Sequence, residues 1–311
     1  MIVSPQKYLF IITTVVVLLL AAGIITLVAR QSVEQPPSRL TIATTIFPLA
    51  DIARNIAGED VYVIQLLPPG ASPHSYNLSP QQLTDINNAK VLFVIGHKLD
   101  AWAADAITRA TEVPIVTVDE GIKLREFEAE DEHHEGEEGD EHEETGTDPH
   151  YWLTIPNGQQ IATTIAQTLQ EIDPINSEVY ASNLIAYTEE LATVEKELQL
   201  QARSAKHTEF IAVHNAWSYL AQQYGFELAA AYEPVAGKEP SISDIQRLQK
   251  LVSEHNIGAF YNEPAEHSIG ATRFFQDNLG LSVKTLDDIG GIPPRDTYIN
   301  LMRENIRALS E

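Results

Sequence analysis

Cysteine is absent from all 311 residues of the chain. This excludes disulfides, thiolate metal sites and cysteine nucleophiles. It also excludes an acylated N-terminal cysteine as a membrane anchor. Any metal held here must take His, Asp, Glu or water as ligands, a donor set that suits zinc, manganese or iron more than copper(I). Basic residues are scarce as well: 20 Lys and Arg stand against 44 Asp and Glu, for a formal net charge of −24. Phosphate binding needs Lys and Arg, so nucleic acid is excluded as a partner. A cationic ligand is compatible with the balance. The length suffices for one large domain or two lobes with real cores.

What the chain has in excess is acid in one place. Between positions 126 and 150 lie 13 acidic residues and four histidines, with no Lys or Arg. No helix or strand period survives there, and the charges repel in any compact form, which predicts a solvated loop over 126–147. His133, His134 and His142 sit among its carboxylates, so the loop can hold divalent cations weakly. The alternative is a plain solubilising loop. Asp148-Pro149-His150-Tyr151-Trp152 then changes character abruptly, with a proline, two aromatics and one more histidine.

Near the start, 22 residues from 8 to 29 are apolar and uncharged, flanked by Lys7 and Arg30. As a helix this run spans roughly 30 Å, the thickness of a bilayer core. It reads as an N-terminal transmembrane signal anchor that places the body outside the cytoplasm. The alternative is a signal peptide cleaved near Ala21-Ala22-Gly23, leaving the body secreted or periplasmic. Residues 31–38 are a polar, proline-bearing linker, so 1–38 form an anchor and linker region.

The body alternates strand-like and helix-like segments. Strands are expected at 40–44, 61–67, 91–95 and 114–118, with helices at 47–56, from 80 onward, and near 102–108. Ser79 reads as an N-cap, with Pro80 at the first helical position and Gln82 completing a capping box. After the acidic loop, helices are expected at 157–172 and 176–206. The second has Leu184, Tyr187, Leu191, Val194 and Leu198 at three- and four-residue steps, with no Gly or Pro. At 31 residues it would be roughly 46 Å long, a natural spine between two lobes. A second α/β series follows, with strands at 210–213, 228–232, 259–262 and 282–286. Its helices are expected at 216–224, 243–254 (with Ser243 as N-cap), 269–279 and 297–309. The expected fold is α/β: two doubly wound α/β lobes (39–175 and 207–311) joined by a long rigid linker helix (176–206), behind the transmembrane segment.

Four candidate metal ligands fall in comparable places. His74 lies in the proline-rich loop after the second strand. His150 follows the acidic loop. His214 stands at the end of the first strand of the second half, and Asp287 at the end of its last strand. Residues at strand carboxyl ends in two facing lobes can converge in the cleft between them. Three imidazoles and a carboxylate meet tetrahedral zinc's demand for N and O donors. No pair has the spacing of HExxH, and a single loop histidine is commonly a surface group. His97, His207, His255 and His267 are read as surface or hydrogen-bonded residues. Trp102, Trp152 and Trp217 are read as packing groups, and Glu263, which follows a strand, stays unassigned.

The segments GASPHSYNLSPQQ, DPHYWL, AVHNAWSYLAQQYG and TLDDIG, with EPS at 239–241, carry a resemblance. In order and in the His- and acid-rich loop before the second, they are similar to the metal-ligand segments of the ZnuA/TroA-like substrate-binding proteins of zinc and manganese ABC importers. The resemblance runs from about residue 40 to the end. It implies two α/β lobes joined by one long helix, with the metal between them. It implies His74, His150, His214 and Asp287 as ligands. Manganese-type members tend to carry glutamate at the third position, so His214 points to Zn2+, with Mn2+ the alternative. Three positions depart from the family pattern. Thr154 stands where relatives often have Asp, Asp288 replaces a common proline and leaves open which of Asp287 and Asp288 coordinates, and the lipoprotein cysteine is missing.

The expected function is therefore extracytoplasmic capture of a divalent metal ion and its delivery to an ABC permease and its ATPase, by a monomer anchored through residues 8–29. The rivals are a manganese or iron importer component, and a metal-buffering or adhesin surface protein without transport. A zinc hydrolase would need an open coordination position, which a fourth protein ligand closes. No enzyme activity is expected.

Overall fold

The computed structural model describes residues 39–127, 146–232, 242–255, 257–265 and 269–311. The apolar run at 8–29, most of the acidic loop with His133, His134 and His142, the EPS segment and His267 lie outside them. Among the described residues no helix is long and apolar enough to cross a membrane.

The first lobe alternates β1 (Leu40–Thr44), α1 (Phe47–Ala57), β2 (Val61–Gln65), α2 (Pro80–Ile86), β3 (Leu92–Val94), α3 (Ala101–Ala110) and β4 (Ile115–Thr117). Its four strands are all parallel, in the order β2-β1-β3-β4. The second lobe holds β5 (Glu209–Ala212), α6 (Ser218–Tyr224), β6 (Glu227–Ala231), α7 (Ile242–Glu254), β7 (Ala259–Asn262), α8 (Ile269–Leu279) and β8 (Ser282–Thr285), closed by α9 (Tyr298–Ser310). Its sheet is also parallel, in the order β6-β5-β7-β8. The two lobes thus share one strand order, although their sequences show no repeat. In that order the chain turns away from the first strand in both directions, leaving a crevice at the carboxyl ends of β1 and β3, and of β5 and β7.

Side-chain alternation divides each sheet between two cores. On β5, Phe210 and Ala212 join the large core that runs through both lobes, while Ile211 and Val213 pack with Leu248, Phe260 and Phe275 on the other face. On β1, Ile42 faces the large core and Ala43 faces Ile86, Leu92 and Ile107. Strands buried on both faces read as continuous apolar runs, as these do.

Between the lobes' sequences lie α4 (Ile155–Ile172) and α5 (Ser177–Ala202), separated by a 3-10 turn at Pro174–Asn176. The spine helix α5 has 26 residues, roughly 39 Å, and is shorter than the 176–206 expected. Asp173-Pro174 starts it late, and at its end the Ser204 hydroxyl takes the Gln201 carbonyl at 2.6 Å. Tyr180, Tyr187, Leu191, Val194 and Leu198 are its buried stripe. It packs on α1 and α4 of the first half and on α9 of the last. Gly158 in α4 permits a close crossing: a Cβ there would lie 2.5 Å from the Tyr298 hydroxyl. That hydroxyl sits 2.7 and 2.8 Å from the carbonyls of Trp152 and Thr154.

Most expected boundaries differ only at their ends. α4 begins at Ile155 because Thr154 caps it, accepting from the Asn157 N–H at 3.3 Å. Thr154, odd against the family pattern, thus serves as a helix cap. Helix α7 starts at Ile242, so Ser243 lies in its first turn rather than at its cap.

Candidate metal centre between the lobes

His74 is presented by a loop whose ends are tied by one side chain. Gln82 completes the capping box with Ser79, its Oε1 accepting from the Ser79 N–H at 3.0 Å. The same oxygen accepts from the Tyr76 hydroxyl at 3.0 Å, and Gln82 Nε2 donates to the Leu66 carbonyl at 2.7 Å. The His74 N–H donates to Ser72 Oγ at 3.2 Å. The proline-rich loop is thereby pinned at both ends, with His74 near its middle.

His150 ends a narrow neck. Glu126 and Thr147 form an antiparallel bridge. The Asp148 N–H donates to the Arg125 carbonyl at 2.8 Å. Asp148 Oδ1 then accepts both the His150 N–H at 2.9 Å and His150 Nδ1 at 2.8 Å. Both side chains are fully buried. A 3-10 turn at Tyr151–Leu153 follows. It is anchored by Tyr151 donating to the Ile95 carbonyl at 2.8 Å.

His214 lies just past β5, and Glu263 just past β7, the strand beside it. Their buried side chains meet with Nδ1 and Oε2 3.2 Å apart. Trp217 Nε1 donates to the other Glu263 oxygen at 2.8 Å. Asp288, 2% exposed, lies past β8.

The three histidines converge. Ring centroids are 4.8 Å apart for His74 and His214, 4.9 Å for His150 and His214, and 5.6 Å for His74 and His150. One ligand atom from each lies within 4.8 Å of the other two. A second group of the same kind joins His214, Glu263 and Asp288, all buried. Asp287 belongs to neither group. Its Oδ1 accepts from the N–H groups of Ile289 (3.1 Å) and Gly290 (2.8 Å), and its Oδ2 lies 4.0 Å from Arg295 Nε. Its carboxylate therefore shapes the turn in which it stands.

The electrostatics favour neutral imidazoles. His74, exposed over much of its residue surface, has its ring lodged against the other two. Its pKa is lowered to about 3, first by desolvation and then by the neighbouring imidazoles. Burial also lowers the pKa of His150, against the opposing pull of Asp148. Burial alone would raise that of Asp148, but hydrogen bonds from His150 and Ser218 hold it below its ordinary value. Asp288 is pushed well above the carboxylate range by burial and then by the Glu263 charge.

A donor cluster fits a cation only if it leaves lone pairs for one. With Nδ1 given to Asp148, His150 Nε2 is buried and has no hydrogen-bond partner. An unprotonated buried nitrogen with no donor is costly unless a cation takes it. The three nitrogen donors fit a divalent metal, and the buried carboxylate of Asp288 lies within reach of one of them, His214.

Of the expected histidines, His97 and His255 are hydrogen-bonded to Asp119 and Glu209, each at 2.9 Å. Sequence reasoning missed Asp148 as a partner of His150, left Glu263 unassigned, and read Trp152 and Trp217 as packing alone. Asp148 is one of 13 acidic residues in its stretch. Its one local signal is the spacing Asp-Pro-His, which lets a carboxylate fold back on the residue two further on.

The fold and this cluster define a two-lobed binding protein with a candidate metal centre between parallel α/β lobes. A family model described as "Zinc-uptake complex component A periplasmic", ZnuA, matches residues 42–311. The chain is 26% identical over 291 residues to the "High-affinity zinc uptake system protein ZnuA" of Bacillus subtilis, covering 90% of this chain and 89% of that one. It is 26% identical over 272 residues to the "Manganese-binding lipoprotein MntA" of Halalkalibacterium halodurans, covering 86% of each. A crystal structure of a ZnuA deletion mutant with zinc bound superposes with a TM-score of 0.75 at 25% identity, covering 88% of this chain and 99% of that one. This chain belongs to the ZnuA family, a family of uptake components rather than enzymes.

Proposed function

We propose that this chain captures Zn2+ outside the cytoplasm, between its lobes, and delivers it to an ABC permease with its ATPase. The observation that carries the reading is the convergence of His74, His150 and His214, with His150 Nε2 buried and lacking a partner. Three nitrogen donors favour zinc over manganese, which prefers oxygen. Asp288 supplies the fourth donor: it is buried beside His214, whereas Asp287 is engaged with the backbone of its own turn. Four protein donors close the sphere, leaving no open position for a hydrolytic water. The apolar run 8–29 anchors the chain. The acidic loop, springing from a neck where Phe127 lies 6.4 Å from the His150 ring, raises the local metal concentration beside the site.

A manganese reading has one observation in its favour, the oxygen-rich group of His214, Glu263 and Asp288. Competition between Zn2+ and Mn2+ on the full chain separates the two. The same titration on a His74→Ala/His214→Ala variant tests the site. One tight zinc per chain, lost in the variant, is the expected result. Tight zinc that survives would move the site into the acidic loop, and preference for Mn2+ would replace the cargo. Deleting residues 128–145 is expected to remove weak extra sites and leave the tight one.

A further inference from the structure

We propose that Asp148 and Glu263 are positioning residues that fix which nitrogen His150 and His214 turn to the metal, and that the adjacent Trp217 and Ser218 hold both carboxylates in register. The inference rests on the metal centre proposed above.

The two imidazoles come from different lobes, yet each is held in the same way. His150 gives Nδ1 to the buried carboxylate of Asp148 at 2.8 Å, and His214 gives Nδ1 to the buried carboxylate of Glu263 at 3.2 Å. A carboxylate accepts only, so each ring is a donor at Nδ1 and offers Nε2 as its lone pair. A ring free to flip or change tautomer would spend part of its time with a proton facing the cation. The carboxylate also makes the imidazole a more basic ligand.

Each carboxylate is in turn fixed by the start of one helix. Trp217 Nε1 donates to Glu263 at 2.8 Å, and the next residue, Ser218, donates from its hydroxyl to Asp148. The Tyr219 hydroxyl adds a bond to the Asp148 carbonyl at 3.1 Å. Successive residues at the start of a helix point about 100° apart, so one turn can reach carboxylates on opposite sides. The first turn of α6 thereby sets His150 of one lobe against His214 of the other. Glu263 also has an oxygen in the second donor group. However, each of its oxygens already accepts a hydrogen bond, one from Trp217 and one from His214, as those of Asp148 do from Ser218 and His150. The matched arrangement assigns both carboxylates to orientation rather than ligation.

The test uses the full chain, with Zn2+ affinity measured by chelator competition and Co2+ absorption as the signature of site geometry. Ser218→Ala, Trp217→Phe and Glu263→Gln are expected to weaken zinc binding about 10–100-fold. One ion per chain should remain, and the Co2+ bands should shift in position. Ser218→Thr, which restores the hydroxyl, should recover both readouts. Wild-type affinity and spectra in Ser218→Ala and Glu263→Gln would overturn the inference. So would loss of all tight binding in Glu263→Gln with a change in Co2+ band intensity, which would make Glu263 a ligand. If the unaltered chain binds no tight zinc, the metal-centre reading falls first and takes this inference with it.

Discussion

The indole Nε1 of Trp152 donates a 2.7 Å hydrogen bond to the main-chain oxygen of Asp288, 136 residues further on. Trp152 lies in the turn that follows His150, and Asp288 is, like Glu263, a buried carboxylate of the other lobe. Both partners are buried, so the bond is made in low dielectric and fixes the two halves of the site to one another. Trp152→Phe keeps most of the packing but leaves that carbonyl unpaired. It is expected to cost about 1–3 kcal/mol of apo stability in urea unfolding, and to weaken zinc binding. An unchanged unfolding midpoint would mean that the bond contributes nothing.

Asp287 and Asp288 are neighbours with different surroundings: Asp288 is grouped with His214 and Glu263, and Asp287 with the backbone of its own turn. Asp288→Asn is expected to lower zinc affinity by more than about 100-fold, beyond the roughly 10–100-fold loss of a group that only orients a ligand. Asp287→Asn should leave affinity within a few-fold and instead destabilise the turn by about 1 kcal/mol, since its carboxylate accepts the Ile289 and Gly290 N–H groups. Titration and thermal unfolding of both variants separate the two, and the reverse pattern would make Asp287 the ligand.

Acid should release zinc mainly through the carboxylate. His74 and His150 have lowered pKa values, so protons compete with metal at these rings only below their ordinary range. Asp288 has a raised value, so the charged form that the proposed site needs is the one lost as pH falls. Zinc affinity is expected to fall on acidification, and the profile of Asp288→Asn, though starting lower, should be flatter. Each imidazole of ordinary pKa would instead contribute about a 10-fold loss between pH 7.5 and 5.5. Equally steep profiles in both proteins would place the loss on the histidines.

Bound zinc should stabilise the folded chain by mass action. At 100 times the dissociation constant the gain is about 2.7 kcal/mol, worth about 5 °C in melting temperature for a body of this size. Calorimetry with and without zinc checks it, and no shift at saturating metal would contradict a site formed only on folding.

Gly158→Ala is expected to destabilise by about 1–3 kcal/mol, because the new Cβ would meet the Tyr298 hydroxyl at 2.5 Å. Thermal unfolding reports it. A smaller penalty in a Tyr298→Ala background, which removes the ring carbons at 2.7 and 2.8 Å as well as the hydroxyl, would assign the cost to that contact.

Much of the fold was legible locally. The capping box at Ser79, Pro80 and Gln82 is present as read, because it depends on a side chain and a backbone three residues apart. Gly225 ends α6 in the left-handed conformation that favours glycine. The stripe of Tyr187, Leu191, Val194 and Leu198 is buried as its spacing requires. The site was legible in part. The placement of His74, His150 and His214 at strand and loop ends matches where they converge, whereas Asp148 was hidden in a run of like charge. Glu263 followed a strand like any other polar residue. The partner of each lies far away in sequence: Trp217 is 46 residues from Glu263, and Ser218 is 70 from Asp148.

The elements, the apolar faces, the donor types on offer and the exclusion of thiolate chemistry can all be read along the chain. Those follow from short-range sterics, periodicity and composition, which act within a few residues. Long-range packing sets which donors meet, which nitrogen each buried carboxylate claims, and that Asp288 rather than Asp287 is grouped with His214. Those outcomes depend on how two sheets of the same strand order are held by one helix and packed across 136 residues of chain. No local pattern encodes that separation, because it is set by the burial of the whole core.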